Sequence, residues 1–330
     1  MVELYPLLLE PYFSPRPWGG LDLSPIYPDH RFEEKIGEAW LTGDECRIAN
    51  GPLAGRTLAQ VTSEYGRDLV GKAAREERRF PLLLKFLFPH DKLSVQVHPD
   101  DECAQRVGQP WGKTECWYVA EAKPGAQVAL GLKPGVTCAQ LEQAIARDEA
   151  EGLLNWVDIN RGEMIYVAAG TVHAIADGSI LVETQQSSDT TYRLYDYGRP
   201  RELHLEQGLG AVKERTAAGK VAIAPHPNGR GKTSNQHTRL IAAPFFQVEK
   251  HALRESGSFR EMEGSSVQIL AAIEGCGVVE CAAGSPVTFS CGQAIVIPAN
   301  ISEFRVQPQW QVEFLRAMVP ATPFPEPVVQ

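Results

Sequence analysis

Apolar residues alternate with polar ones along much of this 330-residue chain, a spacing that predicts β-strands rather than long helices. The run FPLLLKFLF, residues 80–88, is short and apolar throughout, so it reads as a buried strand. In LSVQVHPDDE, residues 93–102, strand alternation puts Ser94, Gln96 and His98 on one face and Val95 and Val97 on the other. Pro99 ends that strand, and the acidic residues after it suit the first turn of a short helix. GKTECWYVAEA, residues 112–122, resumes the strand pattern with Lys113 and Glu115 on a shared face.

Two stretches depart from alternation. In residues 57–71, Thr57 and Gln60 stand at capping-box spacing, and Leu58, Val61, Tyr65 and Leu69 fall on one side of a helix. Thr137 and Gln140 repeat the capping box at the head of a second helix in residues 136–150. RELHLEQGLGAV, residues 201–212, reads as a third, shorter one. Gly-punctuated β segments fill the region from Asn160 to there.

The polar, Pro- and Gly-containing stretch 226–237 marks a composition shift and a domain boundary. The expected organisation is a larger unit over 1–235 and a smaller β unit over 236–330. GEMIYVAAGTVH (162–173) superposes without a gap on GQAIVIPANISE (292–303), as a pair of similar strand-turn units would. His173 ends the first copy and Glu303 the second. The second unit has no evident histidine pair and is expected to be metal-free.

Composition narrows the function. The hydrophobic content of 43%, with 24 prolines and 29 glycines, fits a folded chain rich in turns. A net charge of −9 without a basic patch argues against nucleic acid as a partner. No apolar run reaches membrane-spanning length, and the first residues do not read as a signal peptide. Seven scattered cysteines without a CxxC pair argue against a disulfide framework and a cysteine zinc cluster, and for the cytoplasm.

Gln96, His98, Glu115 and His173 come from separate β segments and together offer two imidazoles, a carboxylate and an amide oxygen. That donor set suits a zinc ion with an open position. Taken singly, His98 beside Pro99 is more often a strand-end residue satisfied by backbone, and Glu115 beside Lys113 more often a surface pair; the combination is stronger than its parts.

The motifs LSVQVHPDDE, GKTECWYV, AGTVHAI and SSDTTYRLYDYGRPRELH, in this order, resemble the type I mannose-6-phosphate isomerases in their short bacterial form. The resemblance runs from Trp18 to about residue 210. It implies a mainly β fold of two cupin-like barrel or jelly-roll units with a few short helices, the first catalytic and the second degenerate. It implies one Zn2+ per chain on Gln96, His98, Glu115 and His173, and a phosphosugar substrate. Arg193, Lys113 and Glu183 are implied as catalytic residues, with Ser94, Trp18 and Arg199 toward the substrate. Ala168 stands where such cupins carry a proline before the glycine turn, and the helical insertion of the long family members is missing. Burial should raise Glu183, and a nearby metal should lower Lys113. An iron-dependent cupin dioxygenase and a silent sugar-sensing cupin are the competing readings.

Overall fold

The computed structural model describes residues 2–223, 234–262 and 264–330. Most of the composition shift at 226–237 therefore lies outside the described residues. Alternation becomes strand almost throughout, and the few helices are short. Thr57 caps the helix Leu58–Tyr65 through the complete capping box with Gln60, and Thr137 does the same for Cys138–Ile145. Each cap satisfies amides that the first turn leaves unpaired, worth about 1 kcal/mol.

The first helix does not run on to residue 70 as one piece. Gly66, with φ of +50°, takes a backbone conformation that an L side chain resists, and a separate turn, Arg67–Val70, follows.

The strands up to Ala218–Lys220 form two facing sheets, apart from the N-terminal Leu7–Leu9. One has seven strands, with Glu115–Ala122, Ser179–Gln186 and Leu82–Leu87 adjacent at its centre. The other has five, with Val95–Val97 between Tyr192–Tyr195 and His173–Ile175. All the pairings are antiparallel, and the sheets are open and jelly-roll-like rather than closed barrels. Leu87, Trp117, Val119, Val128, Leu130 and Ile165 pack in the core between them.

The seven strands from Gln236 onward, with one from the N-terminus, form an eight-stranded sheet around its own core of Leu270, Phe289, Phe304 and Phe314. Leu7–Leu9 joins this sheet by pairing with Ala294–Ile297, although it opens the chain. A further apolar cluster, including Phe86, Tyr166, Val248 and Ile269, bridges both regions. In the repeat, Gly162 and Gly292 hold matching left-handed conformations (φ +91° and +86°) before matching strands.

Candidate metal centre and cleft

Strand pairing delivers the predicted donors to one place. Gln96 lies opposite His173 on one side and opposite Arg193 on the other, so three segments far apart in sequence meet at one level of the five-stranded sheet. Glu115 comes from the facing sheet, opposite Gln185 and Val167. His98 follows the end of its strand, where Pro99 halts the pairing.

His98 Nε2 is 3.5 Å from Glu115 Oε2, and His173 Nε2 is 3.4 Å from Glu115 Oε1. All three side chains are buried. His98 Nδ1 lies 3.0 Å from the Thr190 carbonyl, and His173 Nδ1 3.0 Å from the Thr171 carbonyl. A carbonyl only accepts, so each ring carries its proton on Nδ1 and turns a lone pair on Nε2 toward the carboxylate. Burial holds His98 well below the usual histidine range and brings His173 to about 4, so both rings are neutral. Burial, reinforced by Glu183, raises Glu115 to about 8.

His98 Nε2 and Glu115 Oε1 are buried without a hydrogen-bond partner among the described residues. Such orphaned acceptors are costly, and a cation between them would satisfy them together. The donor set therefore fits a divalent metal. Gln96 donates its amide nitrogen to His173 Nε2 at 3.1 Å while its Oε1 accepts from Ser94 at 3.1 Å. To serve as a ligand it must turn its amide end for end.

Above this group opens a cleft of about 400 Å³, lined by Trp18, Ser94, Gln96, Lys113, Glu183, Asp189, Arg193 and Arg201, among others. Lys113 Nζ is 3.1 Å from Glu115 and 3.5 Å from Glu183. Glu183 also accepts from Trp117 Nε1 at 3.2 Å.

The expected pKa direction reverses for Glu183. Burial does act to raise Glu183, but Lys113 and Lys85 outweigh it and hold the carboxyl below its ordinary value. Burial acts to lower Lys113, but Glu115 and Glu183 overcome it and hold the ammonium above its ordinary value.

Residues 23–138 match the model of the phosphomannose isomerase type I catalytic domain. The mannose-6-phosphate isomerase ManA of Bacillus subtilis is 34% identical over 317 residues, which cover 92% of this chain and 96% of that protein. The probable mannose-6-phosphate isomerase GmuF of the same organism is 33% identical over 322 residues, with the same coverage. The chain belongs to the type I phosphomannose isomerase family. Among solved members, the mannose 6-phosphate isomerase from Bacillus subtilis superposes with a TM-score of 0.83 at 29% identity, covering 94% of this chain and 99% of that one.

Charged groups of this family member's cleft that escaped the sequence reading include Lys85 and Asp189. Lys85 is fully buried, with Nζ 3.0 Å from Asp189, 3.4 Å from Glu183 and 3.8 Å from Glu38. Its signal was visible as the lone lysine in FPLLLKFLF. Asp189 had no comparable signal, because only the folded loop brings it to Lys85.

The predicted substrate residues divide. Trp18 and Ser94 line the cleft, whereas Arg199 does not; it donates to the Lys92 carbonyl at 2.6 Å and pairs with Asp196. Arg201 takes the cleft position instead, held by Asp196 through two 2.6 Å contacts. Arg193 makes no ion pair with Asp189 or Asp196 among the described residues and donates to the Glu202 carbonyl at 2.8 Å.

The expectation of no histidine pair in the C-terminal region is also corrected. His237 lies directly opposite His251 across a hairpin, with Glu249 two residues from His251 on the same face. Glu249-Lys250-His251 repeats the alternation of Gln96-Val97-His98, a signal available in the sequence.

Proposed function

We propose that the chain interconverts mannose 6-phosphate and fructose 6-phosphate, with one zinc ion held by His98, Glu115, His173 and a reoriented Gln96. The observation that carries this reading is the buried His98–Glu115–His173 group, with neutral imidazoles and orphaned acceptors on His98 and Glu115, beneath a cleft rich in lysine and arginine. Family membership supplies the reaction class. A bound zinc would supply Lewis-acid stabilisation of negative charge on the sugar oxygens.

The reaction moves a proton from C2 of the aldose to C1, while the hydroxyl proton passes from O2 to O1. Glu183 is the group suited to carry the carbon-bound proton. Its carboxyl is ionised, lines the cleft and is oriented by Trp117 Nε1. Lys113 stays charged and is placed to stabilise the enediolate as it develops. Lys85 acts as a positioning residue, keeping Glu183 and Asp189 ionised side by side. Arg193 and Arg201 give the acidic protein the local cations that a phosphate or an oxyanion requires, with Ser94 and Trp18 completing the wall.

In this reading residues 1–235 carry the chemistry and 236–330 form the smaller β unit. Among the described residues no helix is long and apolar enough to cross a membrane. The seven cysteines are all free, which supports a reducing compartment such as the cytoplasm.

The test is conversion of mannose 6-phosphate by purified protein before chelation, after chelation and after zinc is returned. Turnover lost and then restored is the expected result. Bound zinc without turnover would overturn the substrate assignment, and turnover indifferent to chelation would overturn the metal's role.

A further inference from the structure

The hairpin of Gln236–Ala242 and Gln247–Leu253 carries a second His–Glu–His group, outside the catalytic cleft. Register places His237 against His251, and their rings stack with centroids 4.5 Å apart. Glu249 Oε2 lies 3.4 Å from His237 Nε2 and 3.1 Å from His251 Nε2. One ligand atom from each of the three residues falls within 4.8 Å of the others. We propose that His237, Glu249 and His251 form a second metal site, for a divalent transition-metal ion such as zinc, that clips the strand Gln236–Ala242 to its neighbour.

The composition of this group parallels the catalytic one. There, Lys113 sits 3.1 Å from the ligand carboxylate and Gln96 stands beside it; here Arg316 Nη1 sits 3.2 Å from Glu249 Oε2 with Gln268 beside it. A cation against the carboxylate therefore does not set the second group apart from the first. Arg316 is also tied to Gln268 Oε1 at 2.8 Å and Glu261 Oε1 at 2.6 Å, so most of its charge is met elsewhere. A carboxylate oxygen has two lone-pair directions, which lets Glu249 Oε2 serve Arg316 and an ion together.

Two imidazoles and one carboxylate favour zinc, cobalt, nickel or copper over magnesium or calcium, which prefer oxygen donors. On binding, the ion takes the place of the hydrogen bond that His251 Nε2 donates to Glu249, so the neutral ring must carry its proton on Nδ1 instead. His251 and Glu249 are buried while the His237 side chain is 42% exposed, so an ion can enter from solvent and keep a water as its fourth ligand. The strand Gln236–Ala242 is the end strand of its sheet, where a tie to the next strand has most to hold.

The experiment counts zinc per chain in the full-length protein after chelation, reloading and dialysis, by elemental analysis. Wild type is expected to hold two equivalents, His237→Ala one, His98→Ala one and the double variant none. Zinc should raise the Tm of His98→Ala and leave that of the double variant unmoved. His237 is partly exposed, so its removal leaves the fold intact, and His237→Ala should turn over as wild type does. One equivalent in wild type that His237→Ala leaves unchanged would overturn the proposal, as would no zinc on His98→Ala. Because the count in His98→Ala isolates the second group, it is independent of whether the catalytic reading holds.

Discussion

Replacing Lys85 by Met removes one ammonium from beneath the cleft while keeping nearly the same side-chain length. The ammonium is buried among Asp189, Glu183 and Glu38, and their charges hold it protonated against the effect of burial. At the 3.4 Å separation from Glu183, the lost attraction is about 5 kcal/mol for an effective dielectric near 20. The Asp189 side chain is 43% exposed, so solvent screens its share and Glu183 bears most of the loss. Removing one partner from a buried ion pair costs about 3–5 kcal/mol, and protonation of a stranded carboxyl relieves part of it. Two consequences are measurable. Urea unfolding at pH 7 should show a loss of several kcal/mol, smaller at pH 5, where the stranded carboxyl can be neutral. The acidic limb of the kcat/KM profile should move to higher pH, because Glu183 would hold its proton more tightly. Lys85→Arg should restore part of the limb if the charge matters and part of the stability if it can be accommodated. A variant with unchanged stability and an unmoved acidic limb would refute the account of Lys85 as one of the two lysines that keep Glu183 ionised.

Glu183→Gln should lower kcat by about 100- to 10,000-fold with zinc content unchanged, the usual range for a lost acid or base; near-normal turnover would remove it from proton transfer. Lys113→Met should also lower kcat and move the acidic limb at least as far as Lys85→Met does, because Lys113 is the stronger of the two charges that hold Glu183 down, which a full pH–rate profile would reveal. In metal-stripped protein Glu115 sits at about 8, raised by burial and Glu183, so at pH 7 zinc must displace its proton. Calorimetry in buffers of different ionisation enthalpy should therefore show proton release at pH 7 and tighter binding as pH rises toward 8; no release would contradict that placement. Asp100 caps the helix Asp101–Arg106 and pairs with Lys213; burial alone would raise it, but these contacts bring it down to about 2. A folded-state value below the unfolded one means its contribution is complete above about pH 4 and lost as pH falls toward 2. Asp100→Ala should cost about 1 kcal/mol at pH 7 by urea unfolding and progressively less below pH 4.

Local rules were enough for what local chemistry decides. Capping boxes at Thr57 and Thr137 announced two helices because the side chain and the amide it satisfies are three residues apart. Alternation in 93–98 put Gln96 and His98 on one face because strand geometry has a period of two. The candidate metal donors were legible through long motifs, which also hold Lys113, whereas Glu183 lies just outside them. Relations between distant segments were beyond that reach. The turn at Gly66, the membership of Leu7–Leu9 in the C-terminal sheet and the exchange of Arg199 for Arg201 at the cleft depend on how strands pair and where loops return. Burial predicted that Glu183 would be raised, but the lysines that hold it down come from other segments of the chain. Coulomb interactions act through space, so the sign of a buried group's shift follows from who surrounds it. The sequence by itself determined which donors exist and which face each one takes. Only the tertiary structure decided which charges meet, because strand register and sheet packing bring together residues that the chain holds far apart: Lys85 against Glu183, and His237 against His251.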